Sequence, residues 1–457
     1  MKTRIEKDSV GELAIPEDAY YGVHSLRGSN NFQISGHKMH GDFVKNITLI
    51  KKAAAKTNGK YGYITKDIEK AICTACDEIL EGKFDDQFIT DAIQGGAGTS
   101  VNMNVNEVIA NRATELLGGK KGEYLCHPND HVNMAQSTND VIPTAGRLTA
   151  LDLSAKLLGN LEGLIGALTK KAVEFDDVVK MGRTQLQDAV PIRLGQEFQA
   201  YANALKRDHA RIKTALNEMY VVNLGGTAIG TALNAKKDYL ADVVPALAKE
   251  CGYSLRQAEN LIEATQNLDG FVSLSATLRT CAVNLSKMCN DLRLMSSGPK
   301  TGLAEITLPA KQNGSSIMPG KINPVIPEVV SQVAFLVVGN DVTVSMAAEG
   351  GQLELNAFEP VILYKLFESL TCLANAMKTL TVNCIEGIVA NRERCEELLH
   401  SSVGVVTALC PYIGYKTAAA IAKEALKTGK KVKDLVLGYG LMDEKSLEKV
   451  LNPYEMT

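Results

Sequence analysis

The segment Thr307–Val330, TLPAKQNGSSIMPGKINPVIPEVV, sets two hydroxyls, a lysine and an asparagine close together. Gly314 and Gly320 give this stretch backbone freedom, while Pro319, Pro324 and Pro327 punctuate it. A Gly-rich loop carrying Ser, Lys and Asn and leading into a helix near Pro327 is suited to holding an anion. On composition alone, a surface loop with a helix cap accounts for it equally well. A nucleotide phosphate loop does not, because Ile322 follows Lys321 where that motif needs Ser or Thr. Three more polar clusters stand far away in the chain: Thr99 with Ser100; Ser137, Thr138 and Asn139; and Thr184 with Gln185 in MGRTQLQDAVP. Each lies where a loop meets a helical segment, and singly each reads as a cap or turn. Together with the Ser–Lys–Asn loop they would line a site rich in hydroxyls and amides. Such a site binds a small dicarboxylate and stabilises negative charge that develops on it.

These side chains need long scaffolding elements. Turn-rich sequence from Asp8 to Asn31 gives way to helical patterning from Phe43 to about Gly82. Within it DIEKAICTACDEIL reads as an amphipathic helix, so Cys73 and Cys76 are small core residues; zinc would need a second ligand pair. QGGAGTSVNMNVNEVIANRA reads as a loop opening a helix, with Thr99 or Ser100 as cap and Glu107 and Arg112 on the solvated face. A polar loop, HPNDHVNMAQSTND, follows from His127 to Asp140. Farther on, Leu274, Leu278, Cys281, Leu285, Met288 and Leu292 step by alternating fours and threes, a heptad seam that buries one stripe. Glu197–Asn223 and Val361–Glu386 carry helical spacing without Gly or Pro, enough for helices of roughly 40 Å each. Helices of that length suggest an elongated bundle, with seams apolar enough to serve subunit association as well. After about Ile388 the helices become short and broken, as in a small separate domain.

At 457 residues the chain exceeds one compact core. Its 22% charged and 45% hydrophobic content is that of a soluble globular protein. A net charge of -3, 5% aromatics and no Trp argue against nucleic acid or an acidic membrane as partner. MKTRIEKDSVGELAIP lacks the apolar core of a signal peptide, and Val329–Val338 is too short or interrupted to span a bilayer. Ten scattered cysteines fit a reducing, cytoplasmic setting.

GSSIMPGKINP, Gly314–Pro324, resembles the signature loop of the fumarase/aspartase superfamily. RIEKDSVGELAIPEDAYYGVHSLR, GGAGTSVNMNVNEVIANRA, HPNDHVN, QSTND and GRTQLQDAVP are similar to further family segments, in family order and spacing, so the resemblance covers essentially the whole chain. It implies a mainly α-helical, three-domain fold. The domains would be an N-terminal, mostly helical residues 1–139, a central long five-helix bundle over residues 140–388, and a small helical C-terminal domain over 389–457. It also implies a homotetramer with a twenty-helix core, each active site drawing residues from three subunits.

The implied chemistry removes a weakly acidic proton next to one carboxylate and expels an amine, hydroxyl or related group, giving fumarate. The intermediate is an aci-carboxylate with two negative charges, which the site must meet with hydrogen-bond donors. By resemblance, Thr99, Ser137, Thr138 and Ser316 hold the β-carboxylate, and Lys321 and Asn323 fix the α-carboxylate. Asn139, Thr184 and Gln185 face the amino group, and Met318 belongs to the substrate-binding set. Ser315 is the implied base; its alkoxide needs nearby N–H donors and the charge of Lys321. Gly314 and Gly320 would let the loop close over substrate and exclude water.

Gln185 stands where fumarases, argininosuccinate lyases and some aspartases have His, and it resembles one large group of aspartases. DAYYGVHSLR, VIPEVVSQV and STND are similar to aspartases too. His127, with His131 nearby, leans the other way, because it matches a fumarase position of a secondary dicarboxylate site. The implied reaction is the reversible deamination of L-aspartate to fumarate and ammonia. The other readings are a class II fumarate hydratase and a non-catalytic structural homologue, the latter disfavoured because Ser315, Lys321 and Asn323 are all present. No cofactor is required by this chemistry. No ligand cluster calls for a metal, and activation by Mg²⁺ is left open.

Overall fold

The computed structural model describes residues 2–457. The chain opens with an antiparallel hairpin, β1 (Thr3–Lys7) and β2 (Glu12–Pro16), followed by helices α1 (Val23–Asn31), α2 (Gly41–Lys60), α3 (Lys66–Leu80) and α4 (Thr99–Leu116). α5 (Thr138–Glu174) is the longest helix, at 37 residues, or about 55 Å at 1.5 Å per residue. A second hairpin, β3 (Val179–Thr184) and β4 (Gln187–Arg193), precedes α6 (Leu194–Ala215), α7 (Lys237–Cys251) and α8 (Leu261–Gln266). The remaining long helices are α9 (Asp269–Met295), α10 (Val325–Glu349) and α11 (Glu359–Asn383). The chain ends in short helices α12 (Arg392–Ser401), α13 (Cys410–Ile413), α14 (Tyr415–Thr428), α15 (Val432–Gly438) and α16 (Glu444–Val450). The fold is mainly α.

By packing, the chain forms two compact units. One comprises Met1–Leu157, Ala210–Thr280 and Leu336–Cys372; the other comprises Leu158–His209, Cys281–Phe335 and Leu373–Thr457. Every boundary falls inside one of the five long helices α5, α6, α9, α10 and α11.

The patterning that predicts the helices is met locally. Thr65 caps α3, accepting from Ile68 N at 3.3 Å, and the helix buries Ala71, Ile72, Ala75, Cys76 and Ile79 on one face. All six heptad residues of α9 are at most 2% exposed. In the second unit, Val406, Leu409, Ile421, Leu435, Val436 and Leu447 of the C-terminal helices form a hydrophobic cluster of their own. Among the described residues no cysteine forms a disulfide.

Three expectations need correction. Glu107 does not face solvent: it is 1% exposed and accepts hydrogen bonds from the backbone N–H groups of Gly22, His24 and Ser25 and from the Ser25 hydroxyl. A buried carboxylate on α4 thereby satisfies the open N–H groups at the start of α1, where negative charge is also favoured by the helix dipole. Neither Thr99 nor Ser100 caps α4; Gly98 does, at φ 89°. The apolar stretch near Val329 is not short either. It belongs to α10, a 25-residue helix with an 18-residue window of mean hydropathy 1.5, long and apolar enough to cross a membrane by length and composition. Two of its polar residues are nevertheless engaged within the first unit. Asn340 donates to Glu368 and Ser369 of α11, and buried Asp341 accepts from Ser275 and Arg279 of α9, both at 2.7 Å. Such buried polar contacts fit a helix packed in a bundle.

Replacing Glu107 by Leu strips the N–H groups at the start of α1 of their acceptor, and each unsatisfied buried donor costs about 1–3 kcal/mol. Thermal unfolding of Glu107→Leu is expected several degrees below the parent. The Arg112→Ala control removes only part-exposed pairs to Glu78 and Glu115 and should shift Tm far less.

Candidate active site

In the first unit, two helix N-termini carry the expected hydroxyls. Gly96, Ala97 and Gly98 turn through consecutive positive φ angles of 82°, 54° and 89°. A side chain at Gly98 would press on Ile142 of α5 at 3.0 Å, so only glycine permits this approach. Thr99 follows as the first residue of α4, exposed, its Oγ1 donating to Gly96 O at 2.7 Å. At the start of α5, Ser137 Oγ accepts from Asn139 N at 3.2 Å while Asp140 Oδ1 accepts from Ser137 N at 2.8 Å, a reciprocal capping arrangement. Asn102 of α4 ties the two together, its Nδ2 lying 3.3 Å from Thr138 Oγ1. Asn139 is held from both ends, donating to Ala228 O at 2.7 Å while its carbonyl accepts from Asn223 at 3.1 Å. Thr99, Ser137, Thr138 and Asn139 therefore sit on neighbouring, electropositive helix ends, as carboxylate binding requires.

Beneath this turn lies a buried polar network that motif spacing alone does not single out. Asp140 is fully buried, and its second oxygen accepts from Gly225 N and Thr227 N, each at 3.0 Å. Burial outweighs these hydrogen bonds and pushes its pKa up to about 6. Lys51, also fully buried, donates to Asn133 Oδ1 at 2.7 Å and Gln136 Oε1 at 3.0 Å. Burial lowers its pKa to about 7, opposed by the charge of Asp140. Asn133 Oδ1 also accepts from Asn106 and Asn102, joining Lys51 to the residue that holds Thr138. The signal available in sequence was the run Asn102, Asn104, Asn106 inside a helix, where unpaired amides are disfavoured unless they have partners.

In the second unit, the Ser–Lys–Asn segment is a loop closed at its neck. Gly314 N donates to Lys321 O at 2.9 Å, and Asn323 Nδ2 donates to Gly314 O at 2.6 Å. A Cβ on Gly314 would lie 2.8 Å from Asn323 N, so this neck needs glycine. Inside the loop, Ser315 Oγ accepts from the N–H groups of Ile317 at 3.1 Å and Met318 at 3.0 Å. Ser316, Met318 and Lys321 are exposed. A cavity of about 480 Å³ at the neck is lined by Lys321, Asn323 and Glu328 together with Arg293 and Asn391.

Thr184 and Gln185 do not open a helix, as their setting suggested. They form the tip of the β3–β4 hairpin, where Thr184 pairs with Gln187 across a two-residue turn. Gln185 and Leu186 have φ of 54° and 62°, the geometry of a type I′ turn, which normally recruits Asn and Gly. Without those residues the turn was hidden in the sequence. His127 acts locally, its Nδ1 accepting from Asn129 N and Asp130 N at 3.3 and 3.2 Å and so capping the turn that follows it.

The lyase family matches residues 11–339, and the fumarase C C-terminal family matches residues 405–457. An aspartate ammonia-lyase from Bacillus sp is 52% identical over 99% of this chain and 97% of its own length. The chain belongs to the aspartase branch of the fumarase/aspartase superfamily. Among solved structures, a fumarate lyase:delta crystallin from Brucella melitensis bound to cobalt is 50% identical, with a TM-score of 0.96 over 100% of this chain and 99% of that one. A class II fumarase from Schistosoma mansoni has the same TM-score of 0.96 over 100% and 99% of the two chains, at 36% identity. The superfamily fold is thus shared across both branches, while identity is higher on the aspartase side.

Asp140 gives the family site a pH signature. A carboxylate whose folded pKa stands at about 6 rather than 3.8 opposes folding once ionised, so stability is lost as pH rises from about 4 to 6 and is level above. The Tm of Asp140→Asn should therefore gain on the parent across that window, by about 3 kcal/mol in stability at 1.36 kcal/mol per unit. A Tm difference that does not change between pH 4 and 6 would contradict this assignment.

Proposed function

We infer that this chain eliminates ammonia from L-aspartate to give fumarate, reversibly, with Ser315 as the base. The observation that carries the mechanism is Ser315 Oγ facing two backbone N–H groups. Those donors favour the alkoxide over the neutral hydroxyl, as a base of this kind requires, and the ammonium of Lys321 in the same loop adds to the effect. The alkoxide takes the Cβ proton; the electron pair moves into the β-carboxylate, forming the aci-carboxylate dianion. That pair then returns to form the C=C bond as the Cα–N bond breaks and ammonia leaves.

Thr99, Ser137, Thr138 and Ser316 hold the β-carboxylate, where charge builds, and the first three act from helix N-termini that favour it. Lys321 and Asn323 fix the α-carboxylate, whose charge is constant. Asn139, Thr184 and Gln185 face the amino group, and Met318 moves with the loop that covers the substrate. All charge in this scheme is met by protein donors, so no metal is needed for turnover. The active form is a homotetramer with sites shared by three subunits. Support for that assembly is the apolar side of α10, where Phe335, Val342 and Met346 stand at helical spacing and are each more than half exposed.

Purified protein is expected to produce fumarate, read by its ultraviolet absorbance, from L-aspartate and only weakly from malate. Efficient turnover of malate without aspartate would establish the fumarase reading instead. Ser315→Ala should lose about 10²–10⁴ in kcat, the usual worth of a positioned base, while still binding substrate. Extensive dialysis against EDTA should leave activity in place, and sizing should return the mass of four chains.

A further inference from the structure

The turn that carries Gln185 is not stable by itself. Two L-residues held at positive φ cost on the order of 1 kcal/mol each, and such strain persists only where surrounding structure imposes it. The tip is exposed: Thr184, Gln185, Leu186 and Gln187 all face solvent. The constraint must therefore come from the base of the hairpin. There β3 and β4 slip register between Met181 and Arg183, and at Gly182 a Cβ would meet Val190 O at 2.6 Å. A bulge of this kind re-aims the residues beyond it.

Glu305 fills the space behind the bulge. It is fully buried, and its Oε1 lies 2.7 Å from Arg183 Nη1. Its Oε2 lies 2.9 Å from Lys180 Nζ, in an orientation that makes the contact electrostatic rather than a directed hydrogen bond. Lys180 has a second partner, Glu197 Oε1, at 3.0 Å. The backbone of Glu305 is fixed at both ends: its N–H donates to Met295 O at 2.8 Å, and its carbonyl accepts from Asn391 N at 2.9 Å. Arg183 also donates to Met181 O at 3.2 Å across the bulge. A rigid, buried carboxylate thus grips the guanidinium immediately before Thr184 and Gln185.

We propose that Glu305 is a positioning residue for amine recognition, setting the orientation of Thr184 and Gln185 through Arg183. This rests on the placement of Gln185 at the amino group. Loosening the grip should weaken recognition of the nitrogen end of the substrate and spare the carboxylates, which other elements hold. In Glu305→Gln, Lys180 keeps Glu197, so the change does not strand that buried charge.

The test is the reverse reaction, fumarate plus ammonium, with each KM measured separately. Glu305→Gln should raise the KM for ammonium on the order of 10-fold and leave that for fumarate within about 2-fold, as expected for misplacement of one recognition element. Arg183→Lys, which keeps the charge but loses the rigid fork, should fall between parent and Glu305→Gln. A merely structural role would lower activity without separating the two KM values. A folded Glu305→Gln enzyme with both values unchanged, or with both raised in parallel, overturns the proposal. If Glu305→Gln does not fold, Arg183→Gln carries the same test with the same two outcomes. Gln185→Ala separates the premise from the inference. An unchanged ammonium KM in Gln185→Ala removes Gln185 from the amine. A raised value there with none in Glu305→Gln removes only Glu305.

Discussion

A buried carboxylate organises the hydroxyl-bearing half of this site. Asp140 satisfies the N–H of Ser137 on one side and those of Gly225 and Thr227 on the other, so one side chain fixes both the start of α5 and the loop that holds Asn139. The interaction is costly, because burial disfavours the charge that makes it strong. Lys51 offsets part of that cost electrostatically, yet its direct bonds go to Asn133 and Gln136, neutral acceptors that route its influence to Asn102 and so to Thr138. The hydroxyls are thereby held before substrate arrives. Charge appearing on a carboxylate can then be met without reorganisation, which is where most electrostatic catalysis originates.

The Ser315 loop is built on the opposite principle. Its neck is closed by Gly314, Lys321 and Asn323, whereas Ile317 at the crown is 86% exposed and Met318 is 50% exposed. Inside the loop, the Ser315 oxygen takes its N–H donors from residues two and three places ahead, so the donors travel with the proposed base. A loop that carries its own donor set can close over substrate without dismantling the environment that activates its serine. In the proposed mechanism, fixed donors on helix ends and a base on a self-contained loop divide the work between preorganisation and access.

How far this was readable in sequence follows from which interactions are local. The heptad seam of α9 and the amphipathic α3 were legible, because burial at regular spacing leaves a periodic trace. The hydroxyl clusters and the signature loop were legible as residue types. What was hidden depends on partners far away in the chain. Glu107 looks like a surface charge on α4 until α1 is seen starting on it. The hairpin at Gln185 lacks the Asn–Gly signal, and the residue proposed to hold its base, Glu305, lies more than a hundred residues away, where it pairs with Arg183. Strain of this kind leaves no mark in local propensity, and it is often found where function overrides local preference.

The amide at position 185 also has a chemical logic that the fold alone does not supply. Expelling hydroxide from malate needs a proton delivered to the leaving oxygen, which calls for a titratable side chain near neutral pH. The amino group of aspartate is already protonated at that pH, so breaking the Cα–N bond releases neutral ammonia with no acid required. What the site must then do is orient an ammonium and accept its hydrogen bonds. A neutral amide oxygen does this without a protonation state to manage, and a protonated imidazole in its place would repel the substrate. In the proposed site, orientation is then the whole contribution of Gln185, which is why the rigidity of its support matters more than its own chemistry. A fixed carboxylate behind a bulged strand provides that support.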